Sequence, residues 1–77
     1  MDLPIEHFDS RDAEILLTLA KCRMNVSETA RQMYMHRNTV QYHLNKVYRL
    51  TGKNPLDFYQ LHDLVRLARK IVGGDFL

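Results

Sequence analysis

The side chains best suited to chemistry in this chain lie in one central stretch, YMHRNTVQYHLNKV, residues 34–47. It holds an arginine, a lysine, two histidines, two asparagines, a glutamine and a threonine, with few large apolar residues between them. Guanidinium and amide groups make paired hydrogen bonds to base edges, and ammonium groups contact phosphates. The stretch therefore suits nucleic-acid recognition, provided that one helix face presents these groups together.

Charge is distributed unevenly along the chain. Residues 23–53 carry six basic residues and one acidic residue, whereas residues 1–22 carry five acidic and two basic residues. The formal net charge of the whole chain is only +2. A basic middle is what a polyanion-binding surface needs, because phosphate contacts release counterions. A solvated helix face without a ligand would explain the charge on its own equally well.

Length and composition limit the class of protein. A chain of 77 residues, 45% of them hydrophobic, makes one small globular domain. No apolar run approaches the ~18–20 residues of a membrane span, and the N-terminus lacks a secretory signal pattern. The single cysteine, Cys22, excludes an internal disulfide and suits a reducing cytoplasm. We expect a cytoplasmic protein that makes no membrane contact.

Neither catalysis nor metal binding is expected. Ser10 and Ser27 lie at predicted helix caps, Cys22 lies at a helix end, and no predicted strand frames a pocket for an oriented nucleophile. No two of the four histidines are three or four residues apart, and no cysteine or acidic partner recurs beside them. The sequence therefore predicts no enzyme, no cofactor and no metal site.

Hydrophobic spacing and cap residues predict four helices and no strands, at about residues 11–22, 26–34, 37–51 and 55–72. Asp9 or Ser10 caps the first helix, and Asn25 with Glu28 forms a capping-box pattern at the second. Gly52 ends the third helix. The fourth helix begins either at Pro55 with Asn54 as its cap, or after Asp57.

The third predicted helix has two distinct faces. At about 100° per residue, Val40, Leu44 and Val47 fall on one side. The opposite side is polar and consists of Asn38, Tyr42, Asn45 and Arg49. A short helix, a tight turn and a helix of this kind make a helix-turn-helix. Ala30 occupies the helix-crossing position, and Tyr34 stands where the turn usually has a glycine with positive φ.

The segment NVSETARQMYMHRNTVQYHLNKVYRLTGKNP, residues 25–55, resembles the C-terminal helix-turn-helix domain of the purine-catabolism and sugar-diacid regulators (PucR/CdaR type). NVSETA, HRNT and LTG occur in the family's order, and the domain is more distantly similar to the factor for inversion stimulation (Fis-like). The resemblance implies an all-α, Fis-like helix-turn-helix domain over residues 1–77. It also implies a bacterial transcriptional regulator that binds double-stranded DNA as a homodimer, with a sensing domain upstream of this C-terminal fragment.

Carried over by position, the resemblance assigns site residues. Those expected to contact bases are His36, Arg37, Asn38, Gln41, Tyr42 and Asn45. Those expected to contact the DNA backbone are Ser27, Thr29, Arg31, Thr39, Lys46 and Arg49. Some of these residues also have structural alternatives. His36 can cap the helix, and Asn38 and Thr39 can be ordinary first-turn residues. The remaining alternatives are Tyr42 or His43 packed on the scaffold, and Arg31 or Arg49 paired with an acid.

The competing hypothesis for function is a helical dimerisation or protein-interaction module without DNA binding. Its support is the broad apolar stripe of the fourth helix, which a core of this size does not have to cover completely.

Overall fold

Four α-helices and no strand form the part of the chain that the computed structural model describes, residues 8–73. The helices are α1 (Ser10–Lys21), α2 (Val26–Gln32), α3 (Arg37–Thr51) and α4 (Phe58–Val72). The all-α fold predicted from the sequence is confirmed. The predicted domain also includes residues 1–7 and 74–77, which lie outside the described range. Within that range, every helix is too short or too polar to cross a membrane.

The core is built around α1. Five of its apolar side chains are fully buried: Ala13, Ile15, Leu16, Leu17 and Leu19. This helix contacts α2, α3 and α4, and α2 and α3 contact each other. The other members of the apolar core are Phe8, Ala30, Val40, Leu44, Val47, Leu61, Leu64 and Ala68. α1 is therefore the scaffold on which the helix-turn-helix of α2 and α3 is held.

Side chains cap the first two helices as their sequences suggest, with one difference. The Asp9 carboxylate accepts from the Asp12 N–H (2.9 Å), and the Asp12 carboxylate accepts from the Asp9 N–H (3.2 Å), which completes a capping box. Asn25 accepts from the Glu28 N–H (2.9 Å). The Glu28 carboxylate, however, is bonded to Arg31 and Gln32, so the predicted second box is only half formed.

The bounds of α3 agree with the predicted 37–51, with His36 as N-cap and Gly52 (φ 75°) as the left-handed C-cap. Of the two predicted starts of α4, the one after Asp57 is confirmed, because the helix begins at Phe58 and not at residue 55. Asp57 is its cap and accepts from the Gln60 N–H (3.1 Å). The Asn54 side chain instead accepts from the Leu56 N–H (2.9 Å) and closes a turn.

Two turns without glycine end α1 and α2. Arg23 (φ 56°), Met24 (φ 67°) and Tyr34 (φ 55°) all occupy the left-handed region. The turn after α2 has the hydrogen bond of a Schellman motif, from the Met35 N–H to the Ala30 carbonyl (2.9 Å). This motif ends α2 at Gln32, two residues before the predicted end. The turn of the helix-turn-helix thus keeps the positive φ normally associated with glycine, with a tyrosine in its place.

Candidate nucleic-acid interface

One face of α3 is buried and the other is open to solvent. Val40, Leu44 and Val47 are at most 1% exposed and pack into the core. The solvent face consists of exposed polar residues: Asn38, Tyr42, Asn45 and Arg49. The two faces predicted from helical spacing are therefore confirmed. An exposed face of amide, phenol and guanidinium groups can donate and accept hydrogen bonds along the edges of base pairs.

The start of α3 is fixed by its own side chains and by α2. His36 Nδ1 accepts from the Asn38 N–H (3.1 Å), which makes His36 the cap anticipated as an alternative. Because Nδ1 accepts this bond, the proton of the neutral ring lies on Nε2, which remains a donor. Arg37 Nε donates to the Ser27 hydroxyl (3.1 Å) and ties α3 to the first turn of α2. The side chains of His36 and Arg37 are both exposed.

The middle of the solvent face is ordered by contacts between side chains. Gln41 Nε2 donates to Asn45 Oδ1 (3.1 Å), one helical turn away. Tyr42 is 58% exposed, and its ring meets the ring of His43 edge-on at a centroid distance of 5.4 Å. His43 is partly buried, in keeping with the alternative that it packs on the scaffold. The Gln41–Asn45 bond leaves amide groups on both residues for further partners.

A buried carboxylate connects α1 to the flank of this face. Asp12 is 0% exposed. Its Oδ1 accepts from His43 Nδ1 (2.6 Å), and its Oδ2 lies 2.8 Å from Lys46 Nζ. Lys46 Nζ also lies 3.5 Å from Asp9 Oδ2. We call these four residues the Asp12 cluster. The sequence does not indicate the burial of Asp12, because its contact with His43 joins residues that are 31 positions apart.

Hydrogen bonds in the Asp12 cluster shift two pKa values. The hydrogen bond with Asp12, followed by the charges of Asp12 and Asp9, raises the pKa of Lys46. The backbone N–H of Asp12 and, less strongly, the Lys46 ammonium lower the pKa of Asp9. Both groups are therefore held in their charged forms.

The six predicted backbone-contacting residues have different surroundings. Ser27, Thr39 and Arg49 are exposed, and no acid within residues 8–73 pairs with Arg49. Arg31 is exposed but pairs with Glu28, whose carboxylate raises the pKa of the guanidinium. Lys46 is held in the Asp12 cluster. The Thr29 assignment is wrong, because its side chain is fully buried and its hydroxyl donates to the Asn25 carbonyl (2.8 Å).

Tyr48 was not anticipated as part of this surface. Its side chain is 55% exposed, and it borders a cleft between α3 and the following loop. Gln41 and Asn45 line the same cleft from α3, and Pro55 and Leu56 line it from the loop. Helical spacing puts Tyr48 about 40° from Leu44, at the edge of the apolar seam, so the sequence did not indicate that its ring would be exposed.

A family model described as the PucR C-terminal helix-turn-helix domain matches residues 13–69. The chain belongs to this family. The match spans α2, the turn and α3, together with most of α1 and α4, and confirms the resemblance drawn from NVSETA, HRNT and LTG. No curated protein and no solved structure matches the chain. Membership of the PucR-type family indicates DNA-binding transcription regulation, which is typically non-enzymatic.

Proposed function

We propose that this PucR-type domain binds double-stranded DNA sequence-specifically, with α3 in the major groove. The supporting observation is the solvent face of α3, where Asn38, Tyr42 and Asn45 stand opposite a fully buried apolar seam. An α-helix fits the major groove of B-DNA, and the short helix before it can cross the DNA backbone. Family membership further supports a bacterial regulator whose sensing domain lies upstream.

The proposed base contacts are the sequence-derived set: His36, Arg37, Asn38, Gln41, Tyr42 and Asn45. Arg37 is the strongest candidate. Within residues 8–73, only its Nε is hydrogen-bonded, to Ser27, so both Nη groups can donate to guanine. His36 caps through Nδ1 and can donate from Nε2 to a base acceptor. Asn38 and Asn45 present amides, which pair with adenine.

The proposed backbone contacts are Ser27, Thr39 and Arg49, with Arg31 and Lys46 retained as weaker candidates. Arg31 has to share its guanidinium with Glu28, and Lys46 has to share its ammonium with Asp12. Thr29 is removed from the set because it is buried.

Selection of bound sequences from a random DNA library tests the proposal and yields the preferred site. On that site, Arg37→Ala should weaken binding by ~1–3 kcal/mol and relax discrimination at one base pair, if the contact is bidentate. Fluorescence anisotropy titrations measure both effects. The matched control is Arg66→Ala, which removes the same charge from an exposed position of α4. Equal losses for the two variants on every sequence would contradict this assignment of the reading face.

A second candidate function, association of two copies, rests on α4. Phe58 is 68% exposed beside an apolar groove between the end of α1 and the start of α4. Ala20, Met24, Leu61 and Val65 line this groove. A standard interface uses about 20–30 residues a side, so a groove of this size does not hold a stable dimer alone. We propose that two copies associate on DNA.

Half-site spacing and sedimentation distinguish DNA-dependent pairing from a protein-interaction module that does not bind DNA. DNA-dependent pairing predicts selected sequences with two related half-sites about 34 Å, one helical turn, or a multiple of that apart. Sedimentation should then show a monomer without DNA and two copies on a two-site duplex. A dimer that binds no DNA at any salt concentration would instead support a pure interaction module.

A further inference from the structure

Asp12 is the one acidic side chain within residues 8–73 that is fully buried. It stands on α1, and its carboxylate reaches His43 Nδ1 at 2.6 Å and Lys46 Nζ at 2.8 Å on α3. His43 is 31 residues from Asp12 in the sequence, so this is a tertiary contact between scaffold and reading helix. Both oxygens of the carboxylate are used, and the Asp9 N–H adds a third bond.

Packing alone does not require a carboxylate at this position. Burying a charge is unfavourable unless it is paired, and apolar residues of similar volume often hold two elements together at least as well. Two directional contacts, however, fix how far α3 is rotated about its own axis. His43 is the sequence neighbour of Tyr42, and Lys46 is the neighbour of Asn45, both of which belong to the proposed reading face. A rotation of α3 would displace both of those side chains together.

We infer that Asp12 is a positioning residue that holds α3 in its DNA-reading orientation through His43 and Lys46. This inference rests on the proposed function. The carboxylate of Asp12 does not itself contact DNA, because it is buried. Its effect reaches the DNA through the two residues that it holds.

The experiment measures, by fluorescence anisotropy, the affinity of the 77-residue chain for its selected duplex and compares it with the affinities of Asp12 and His43 variants.

Two comparisons distinguish positioning from mere stability. Asparagine can donate from nearly the same place as His43 Nδ1, so His43→Asn should keep the DNA affinity within about threefold of that of the unaltered chain, whereas His43→Ala should weaken binding roughly tenfold. Asp12→Asn should weaken DNA binding at least as much as His43→Ala does. The matched control is Asp63→Asn, which removes an exposed partner of Lys53 and should change the affinity less than twofold.

The outcomes separate the inference from the proposed function. If the unaltered chain selects no DNA sequence, the proposed function fails. If it binds DNA but His43→Ala, His43→Asn and the unaltered chain share one affinity, the function stands and the inference is wrong. Circular dichroism reports whether each variant is folded. If Asp12→Asn unfolds, the His43 variants decide the inference.

Discussion

The backbone of Tyr34 adopts a left-handed conformation (φ 55°), although its side chain is 97% exposed and burial therefore does not account for that conformation. Left-handed backbone costs a residue with a Cβ roughly 1–2 kcal/mol. Glycine avoids that cost, but it increases the entropy of the unfolded chain, and this cancels about 0.4–1 kcal/mol of the gain in stability. Tyr34→Gly should therefore raise the free energy of unfolding by about 0.5–1 kcal/mol, as measured by urea denaturation.

Tyr34→Ala is the control for this prediction, because alanine keeps the Cβ and therefore keeps the strain. Its free energy of unfolding should match that of the unaltered chain or fall below it. An equal gain from alanine and glycine would mean that the tyrosine ring, rather than the backbone, is the source of the strain. A reduced DNA affinity of Tyr34→Gly at unchanged fold would indicate that the exposed ring serves binding.

Single residues also show where sequence reasoning failed. Thr29 was assigned to the DNA backbone by its position in the family resemblance. A threonine hydroxyl in a helix can bond to a carbonyl one turn back, as Thr29 does with Asn25, and the side chain is then satisfied inside the core. The sequence gives no sign of which way the hydroxyl turns.

At the level of elements, the N-terminus of α1 combines a cap with an ion pair. Asp9 accepts the Asp12 N–H and lies near Lys46, and these groups lower its pKa below the ordinary 3.8. A lowered carboxyl pKa contributes stability above the unfolded-state pKa, and this contribution is lost as the pH falls through the folded-state pKa. Asp9→Asn keeps a cap acceptor without the charge. Its free energy of unfolding should therefore depend less on pH below about pH 4.

Thermal unfolding from neutral to strongly acidic pH, followed by circular dichroism, measures this difference. Asp9→Ala serves as the control, because it loses the cap as well as the charge and should be destabilised by about 1 kcal/mol at neutral pH. If Asp9→Asn and the unaltered chain show parallel curves through the acidic range, Asp9 does not contribute through its charge.

Helix α3 was the most predictable element, and its connection to α1 the least. Both of its ends agree with the sequence, because a polar cap, a regular apolar period and Gly52 are local signals. The start of α4 was ambiguous because Asn54 and Asp57 are both good caps, and only the structure shows that Asp57 is used. The Asp12 cluster was not predicted, since the pairing of Asp12 with His43 depends on how distant helices pack.

For the whole molecule, the central question is how much of the basic middle segment is available to a polyanion. Residues 23–53 carry six basic residues, yet Arg31 pairs with Glu28, Lys46 with Asp12 and Lys53 with Asp63. Pairing with an acid neutralises a cation and so reduces the counterions that it can release from DNA. Sequence alone counted all of these charges equally, because it does not show the pairs.

The salt dependence of DNA binding measures which cations contact phosphates. Arg49 is exposed and has no acidic partner within residues 8–73, so Arg49→Ala should reduce the slope of log affinity against log salt by about 1. Lys46→Met keeps much of the side-chain volume but removes an ammonium already held by Asp12 and Asp9. Its slope should stay close to that of the unaltered chain. A loss of about 1 in the Lys46→Met slope would instead show that Lys46 leaves the Asp12 cluster for a phosphate when DNA binds.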